Sequence, residues 1–143
     1  MKNVIITSSL VLICAAGCAS TDNVKAATAT AVRTMPTERV HFPTAGRAVL
    51  EEDLPKISNN ARWLEENPGA IVVIEGHCDE RGGREYNMEL GDRRARWVMG
   101  RLAEEGVEGS RLIVISKGES EPLEPGRGPR ALEKNRRVEF VLR

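Results

Sequence analysis

Hydrophobic and polar positions divide residues 38–143 into short apolar segments and two longer segments with a helical period. Val40 and Phe42 fall on one side of a first short strand expected over Glu38–Phe42. The next apolar positions recur at helical spacing and predict one face of a helix, namely Leu50, Leu54, Ile57, Ala61 and Leu64. Because proline is excluded from helix interiors, Pro55 places the helix start near Asp53, whose carboxylate could cap it.

The remaining segments predict three more strands and a second long helix. A β-branched run at Ala70–Glu75, bounded by glycine, is typical of a central strand buried on both faces. A helix is expected over residues 84–105, with Ala95, Val98, Met99 and Leu102 facing inward and Gly106 after its end. Leu112–Ser116 predicts a third buried strand, Ala131–Asn135 a helical turn, and Arg137–Leu142 a last strand with Val138, Phe140 and Leu142 on one face.

This order of elements predicts an α/β fold of the βαβαββ type. Two βαβ-like units followed by a returning strand imply a mixed four-stranded sheet with the helices packed on one face, an α+β sandwich. The chain has 143 residues, enough for one domain with one substantial core. We therefore expect a single folded domain over residues 38–143.

Composition excludes some partners. The 21 basic and 21 acidic residues balance and are interspersed, so no long-range field attracts nucleic acid or an anionic membrane. Aromatic residues make up only 3% of the chain and are scattered singly, which argues against a base-stacking surface. We expect no nucleic-acid partner.

The N-terminus has the layout of a secretory signal peptide. A basic start, an apolar run over residues 4–14 and the small residues Ala15, Ala16 and Gly17 precede Cys18. The small-small-Cys ending resembles a lipoprotein processing site, which predicts a signal peptide over residues 1–17 and a lipid such as palmitate on Cys18. Ala15 stands where such sites usually have Leu, so ordinary cleavage to a soluble periplasmic protein is the alternative. Residues 18–37 are small and polar and predict a flexible tether.

Candidate chemistry lies between the central strand and the second helix. Asp79 follows Gly76 at the strand exit, where open α/β sheets bind ligands. Arg94 lies about two and a half turns into the following helix. An aspartate accepts hydrogen bonds from an ammonium, and an arginine fork matches a carboxylate, so the pair could bind a zwitterion. Equally, Asp79 could cap a turn and Arg94 could be a solvated surface charge.

Several linked motifs identify a family resemblance. Residues 76–82 (GHCDERG), 85–87 (EYN), 90–95 (LGDRRA) and 134–139 (KNRRVE) together resemble the OmpA-like peptidoglycan-binding domain. The DERG and EYN elements are most similar to the family's peptidoglycan-associated lipoprotein branch, which belongs to the Tol-Pal system. The resemblance covers residues 39–143, essentially the whole predicted domain.

That resemblance implies a ligand and its contacts. The ligand would be the diaminopimelate of the peptidoglycan stem peptide, with Asp79 receiving its ammonium and Arg94 its carboxylate. The family positions that line or support the pocket correspond to Tyr86, Asn87, Leu90, Asn135, Arg136 and Arg137. Cys78 stands where the family commonly has Ala or Thr. No cofactor is implied beyond the lipid on Cys18.

The resemblance also implies partners and a location. A lipid anchor in the outer membrane, a domain facing the periplasm and bound to peptidoglycan, and contacts with TolB and other Tol proteins would link the envelope layers during cell division. A wall-binding lipoprotein without a Tol partner is the first alternative. A metal- or Cys/His-dependent hydrolase is the second alternative, with candidate residues His77, Cys78, Asp79 and Glu80 and, elsewhere, His41. Alternation along an extended strand exit would, however, point the side chains of His77 and Cys78 apart. We expect a binding protein, not an enzyme.

Overall fold

The computed structural model describes residues 35, 36 and 38–143. In that part of the chain, strands and helices alternate: β1 (Val40–His41), α1 (Leu54–Glu66), β2 (Val72–His77), α2 (Arg84–Glu104), β3 (Leu112–Gly118), α3 (Pro129–Asn135) and β4 (Arg137–Leu142). The element order is the predicted one, with the expected helical turn extended into the short helix α3. The predicted signal peptide and Cys18 lie outside the described residues.

The sheet is mixed and four-stranded, in the order β1-β4-β2-β3. β2 pairs with β3 in parallel, whereas β4 pairs antiparallel with both β1 and β2. The α/β class and the mixed sheet are thus confirmed. The last strand inserts between the first two, so the chain ends in the middle of the sheet rather than at its edge.

Both long helices pack on one face of this sheet. Val72 and Ile74 of β2 face the helices and are fully buried, whereas the side chains of Glu75 and His77 lie on the opposite face of the sheet. The core contains most of the predicted inward positions of the helices, namely Ile57, Ala61 and Leu64 from α1 and Ala95, Val98 and Leu102 from α2, whereas Leu54 and Met99 are partly buried and pack against it. Alternation along β2 therefore separates an apolar helix-covered face from a largely polar open face.

One strand prediction needs correction. β3 is not a buried strand: it lies at the sheet edge, and its Ile115 is 40% exposed because that side chain projects to the face without helices. Leu142 lies on the same face of β4 as Val138 and Phe140, as predicted, and is 40% exposed because it occupies the last paired position, opposite Val72 at the end of the sheet. An apolar run cannot by itself distinguish a central strand from an edge strand.

The role predicted for Asp53 was also wrong. It precedes α1 as expected, but its side chain makes no capping hydrogen bond. Its carboxylate instead accepts the backbone N–H of His41 at 2.6 Å and contacts His41 Nδ1 at 3.0 Å and Lys56 Nζ at 2.6 Å. Asp53 therefore joins β1 to α1. Met35, within the span expected to be tether, is buried in the core, so packed structure begins before residue 38.

Close contact between β2 and α2 positions the start of α2 over the strand exit. A Cβ atom on Gly76 would lie 2.0 Å from the carbonyl oxygen of Gly91, and one on Gly91 would lie 2.3 Å from Ser116 Oγ. Real side chains do not tolerate such distances, so glycine at both positions permits this approach. The residues that follow β2 and those on the first turns of α2 consequently lie next to one another.

Candidate functional site

A cavity of about 230 Å³ opens where β2 ends and α2 begins. We call it the exit cavity. Its lining includes nearly all the residues proposed from the sequence to bind a ligand, namely Asp79, Tyr86, Asn87, Leu90, Arg94 and Arg136. Asn135 does not line it. Residues far apart in the chain are therefore brought to one small volume.

The strand exit is shaped by an irregularity in the pairing of β2 with β3. Gly76 pairs with Ser116 but His77 pairs with Gly118, so one extra residue of β3 is accommodated there. The N–H of Cys78 then donates to the carbonyl of Gly118 at 2.8 Å. Bulges of this kind commonly re-aim side chains beside binding sites. Here Cys78 and Asp79 enter the exit cavity, and His77 does not.

Asp79 is buried and ionised. Arg81 donates to it three times: its backbone N–H and Nε to Oδ1 at 3.1 and 3.2 Å, and its Nη2 to Oδ2 at 2.6 Å. Arg136 Nη1 donates to Oδ2 at 3.2 Å. Burial alone would raise the pKa of Asp79, but the hydrogen bonds from these two arginines outweigh it and hold the pKa below its usual value. The hydrogen bond from the backbone N–H of Arg81 closes a short turn that begins at Asp79. Asp79 therefore stabilises this turn and also lines the exit cavity.

Arg94 is not the solvated surface charge considered as an alternative. Its side chain is fully buried, and its guanidinium lies 5.0 Å from the centre of the Phe42 ring. It donates to the carbonyls of Gly46 at 3.0 Å, Pro43 at 3.2 Å and His77 at 3.3 Å, and to Cys78 Sγ at 3.6 Å. Burial lowers the pKa of Arg94, although arginine remains charged. Of the five N–H groups of a guanidinium, these contacts leave one for a ligand.

The first turns of α2 form one wall of the exit cavity. Leu90 and Arg94 are four residues apart and share a helix face, with Asn87 one turn earlier. Asn87 is buried and its side-chain amide contacts Glu119, while Tyr86 is 47% exposed at the rim. Gly82 has a φ of +106°, and a Cβ atom added there would lie 3.1 Å from Cδ1 of the Tyr86 ring, which is a tight contact. This wall is apolar at Leu90 and polar at its ends.

The two residues before β4 have different roles. Arg136 donates through Nε to the carbonyl of Phe42 at 3.0 Å as well as to Asp79, so it joins the end of β1 to the cavity wall. Asn135 accepts the N–H groups of Leu123 and Glu124 at 2.8 and 3.0 Å and so supports the preceding loop. Arg137 points to the other face of the sheet, where its Nε contacts Glu139 at 2.6 Å.

His77 and Cys78 do not form a catalytic pair. Cys78 is buried, its thiol donates to the carbonyl of Asn87 at 3.3 Å, and burial raises its pKa against the opposing effect of Arg94. A thiol with a raised pKa is a poor nucleophile. His77 projects from the opposite face of the strand. Among residues 35, 36 and 38–143, no group of three His, Cys, Asp or Glu side chains is arranged to hold a metal ion.

Two contributors to the site were missed in the sequence. The loop after β1 supplies Thr44 and Ala45 to the cavity wall, and Ala45 has a φ of +52°, a strained conformation for a residue with a side chain. Arg81 covers Asp79. The position of Arg81, two residues after an aspartate in a glycine-rich turn, was the available signal for that contact.

Comparison with known proteins identifies the family of this chain. The model of the OmpA family matches residues 44–136, which contain both long helices, the central strand and every residue that lines the exit cavity. This chain belongs to the OmpA family. The family assignment made from the linked motifs is therefore confirmed, and the α/β architecture agrees with it. No helix in the described part of this OmpA-family chain is both long and apolar enough to cross a membrane.

Individual relatives are similar over three-fifths to three-quarters of this chain. A peptidoglycan-associated lipoprotein from Legionella pneumophila is 44% identical over 88 residues, 62% of this chain and 50% of the relative. One from Agrobacterium fabrum is 36% identical over 105 residues, 73% of this chain and 59% of the relative. The crystal structure of the peptidoglycan-associated lipoprotein from Burkholderia pseudomallei matches with a TM-score of 0.71 and 30% identity, covering 73% of this chain and 89% of that one. The chain spans half to three-fifths of the length of these two curated relatives.

Proposed function

We propose that this protein binds peptidoglycan non-covalently, with the exit cavity holding the diaminopimelate of a stem peptide. The observation that carries the proposal is the presence of Asp79 and Arg94, an acid and a base from different elements, in one small cavity. The free end of diaminopimelate is a zwitterion with an ammonium and a carboxylate on one carbon. Charged hydrogen-bonding groups of both signs are what such an end requires.

In the proposed complex, each charge of the ligand has its own partner in the cavity. The ammonium lies against Asp79, and the carboxylate lies toward Arg94 and Arg136. Because the contacts of Arg94 leave one N–H, it gives the carboxylate one hydrogen bond rather than the two-pronged match that its chemistry alone suggests. Leu90 lies along the methylene chain of diaminopimelate, and Tyr86 lies at the rim of the cavity. Asn87 and Asn135 keep the surrounding loops in shape.

The rest of the chain makes this domain an anchor. Lipid on Cys18 would hold the protein in the outer membrane, and residues after it would let the domain reach the wall from the periplasmic side. Support comes from the small-small-Cys sequence and from the relatives, which are named peptidoglycan-associated lipoproteins. By the same relationship the protein works with TolB and other Tol proteins in envelope integrity and cell division. The activity is binding, and no catalytic residue is assigned.

A wall-binding lipoprotein without a Tol partner would have the same cavity. Association with the TolB propeller separates the two possibilities. A pull-down of the purified domain by TolB at micromolar concentration supports Tol-Pal membership. Absence of association at that concentration assigns the protein to wall binding alone.

Sedimentation with purified sacculi tests the cavity assignment, and Asp79→Asn is the appropriate substitution. It preserves the shape of the side chain but removes the charge that attracts the ammonium. A hydrogen bond to a charged group contributes roughly 1.5–3 kcal/mol, so the dissociation constant should rise about tenfold or more. Asp92→Asn is the matched control, because Asp92 pairs with Arg96 on the exposed side of α2 and does not line the cavity.

The two aspartate variants should differ clearly in the amount of protein that sediments with sacculi. If Asp79→Asn sediments with sacculi as wild type does, the cavity is not the binding site. Circular dichroism of both variants separates loss of binding from loss of fold. Arg94→Ala is less informative, since its removal leaves three backbone carbonyls without their donor and should unfold part of the domain.

A further inference from the structure

Arg81 occupies the position in which a ligand ammonium would meet Asp79. Its side chain makes a two-pronged ion pair with the Asp79 carboxylate, with Nε on one oxygen and Nη2 on the other. In the described part of the chain, all recorded side-chain bonds of Arg81 go to Asp79. The guanidinium is a cation of the protein itself at the proposed cation subsite.

The Asp79 carboxylate has no acceptor site left. An ionised carboxylate offers about four lone-pair sites. Oδ1 accepts from the backbone N–H and Nε of Arg81, and Oδ2 accepts from Nη2 of Arg81 and Nη1 of Arg136. An incoming ammonium can therefore bond to Asp79 only if one of these donors withdraws.

The donor that can withdraw is the Arg81 side chain. Arg136 is 12% exposed and is also bonded to the carbonyl of Phe42, and the backbone N–H of Arg81 belongs to the turn. The Arg81 side chain, by contrast, is 50% exposed, and water can solvate the guanidinium once it leaves. Its departure frees one site on each oxygen of Asp79. Those two sites are what an ammonium needs to bridge the carboxylate.

We propose that Arg81 is a specificity-determining residue that competes with the ligand ammonium for Asp79. This inference rests on the proposed function, because it concerns the ammonium subsite of the same cavity. Binding is an exchange of one cation for another, so affinity reflects the difference between the two partners of Asp79 rather than the ligand contact alone. A neutral group cannot displace the guanidinium, and a cation that lies outside bonding distance of Asp79 gains nothing. Arg81 thereby lowers affinity and raises selectivity for ligands that place an ammonium in the cavity.

Calorimetric titration with a soluble stem tripeptide ending in meso-diaminopimelate tests this exchange. Arg81→Ala removes the competitor and should bind the tripeptide more tightly than wild type, by at most about fivefold, as expected for loss of a partly exposed ion pair. Arg127→Ala is the matched control. Arg127 is also an exposed arginine in an ion pair, with Glu80 at 2.7 Å, but does not contact Asp79, so its removal should leave the affinity unchanged.

A second measurement follows the guanidinium directly. In wild-type protein, the NMR signal of the Arg81 Nε–H should move to the position of a solvated guanidinium when the tripeptide binds. A tripeptide in which the free amine of the diaminopimelate side chain is acetylated should leave the signal in place. Arg81→Lys, which keeps the charge without the fork, should have an affinity between those of wild type and Arg81→Ala.

The outcomes separate this inference from the proposed function. No binding of the tripeptide to wild-type protein would overturn the proposed function. Binding to wild type with equal or weaker binding to Arg81→Ala would overturn the exchange alone, and weaker binding would make Arg81 a direct contact for the ligand. An Nε–H signal that does not respond to the tripeptide would likewise exclude displacement.

Discussion

Arg94 shows how far burial changes what a charged residue does. Its guanidinium holds the loop after β1 against the exit of β2, through the carbonyls of Pro43, Gly46 and His77. The carbonyls of Pro43 and Gly46 belong to the loop, and Arg94 gives each of them a side-chain donor. Arg94 is thus a structural residue that also lines the exit cavity. The cavity depends on it even before any ligand binds.

His77 is a second buried ionisable residue, and it predicts a pH dependence of stability. Burial, reinforced by the positive charge of Arg137, lowers the pKa of His77 from 6.5 to about 4. The unfolded chain therefore binds a proton at a higher pH than the folded one. Stability should be at its full value above pH 6.5 and fall as the pH drops toward 4, by up to about 3 kcal/mol.

Urea unfolding at several pH values checks this prediction. Asp79 and Glu139 have lowered pKa values, so their stabilising contributions persist until the pH falls below the usual carboxylate range and do not enter the window from 6.5 to about 4.5. His77→Leu should flatten the pH dependence within that window. The same slope in wild type and variant would show that another group is responsible.

The contact between α2 and β2 is the element-level feature on which the site depends. The helix lies close enough to the strand that Gly76 and Gly91 meet backbone to backbone, with Ser116 of β3 beside them. This seating brings Leu90 and Arg94 to the cavity wall. A helix displaced by the width of a methyl group would carry both side chains away from Asp79.

Substitution of Gly91 by alanine tests this seating. The added Cβ would lie 2.3 Å from Ser116 Oγ and 2.8 Å from the carbonyl oxygen of Gly76, so α2 must shift. The variant should lose about 1–3 kcal/mol of stability and bind sacculi more weakly. Gly100→Ala is the control in the same helix, since no atom lies within 4 Å of its added Cβ. It should gain up to about 1 kcal/mol from helix propensity.

Thermal or urea unfolding of the two glycine variants provides the comparison. Opposite changes in stability are expected despite identical chemistry. If both variants are stabilised alike, then α2 does not depend on a glycine contact. In that case the position of Arg94 must be held by its own hydrogen bonds to the loop after β1.

As a whole molecule, the protein is proposed to join two envelope layers through a lipid anchor and a reversible contact with peptidoglycan. Each cavity would bind one stem peptide with modest affinity, because a few charged hydrogen bonds must offset the entropy of association. Many copies held near a repeating lattice would act at high effective concentration. The link as a whole can then be firm while each contact exchanges during growth and division.

For the intact protein, we expect that the membrane attachment can be removed without loss of peptidoglycan binding. Cys18→Ser removes the proposed lipid site and should release the protein from the outer-membrane fraction into the soluble periplasm. Its affinity for sacculi, measured on purified protein, should equal that of the wild-type domain, because residue 18 is not among the residues that line the exit cavity. Fractionation of cells that express each form supplies the measurement. Membrane association that survives the substitution would place the anchor elsewhere.

Local sequence was enough to predict most of this architecture. Hydrophobic periodicity depends on neighbours within a few residues, and it located both long helices, the central strand and the helical turn that became α3. The linked motifs identified the family and the residues around the strand exit. The same patterns could not tell that β3 is an edge strand, because position in a sheet depends on which strands pair.

The environment of the ionisable groups was decided only by tertiary contacts. Asp53 lost its capping role because β1 lies beside the start of α1 and offers the N–H of His41. Arg94 is a buried structural residue because the loop after β1 folds over it. All acceptor sites of the Asp79 carboxylate are occupied because Arg81 and Arg136 reach it from different directions. Charge and hydrogen-bonding capacity belong to the residue, but the partner that satisfies them is chosen by the packing of distant segments.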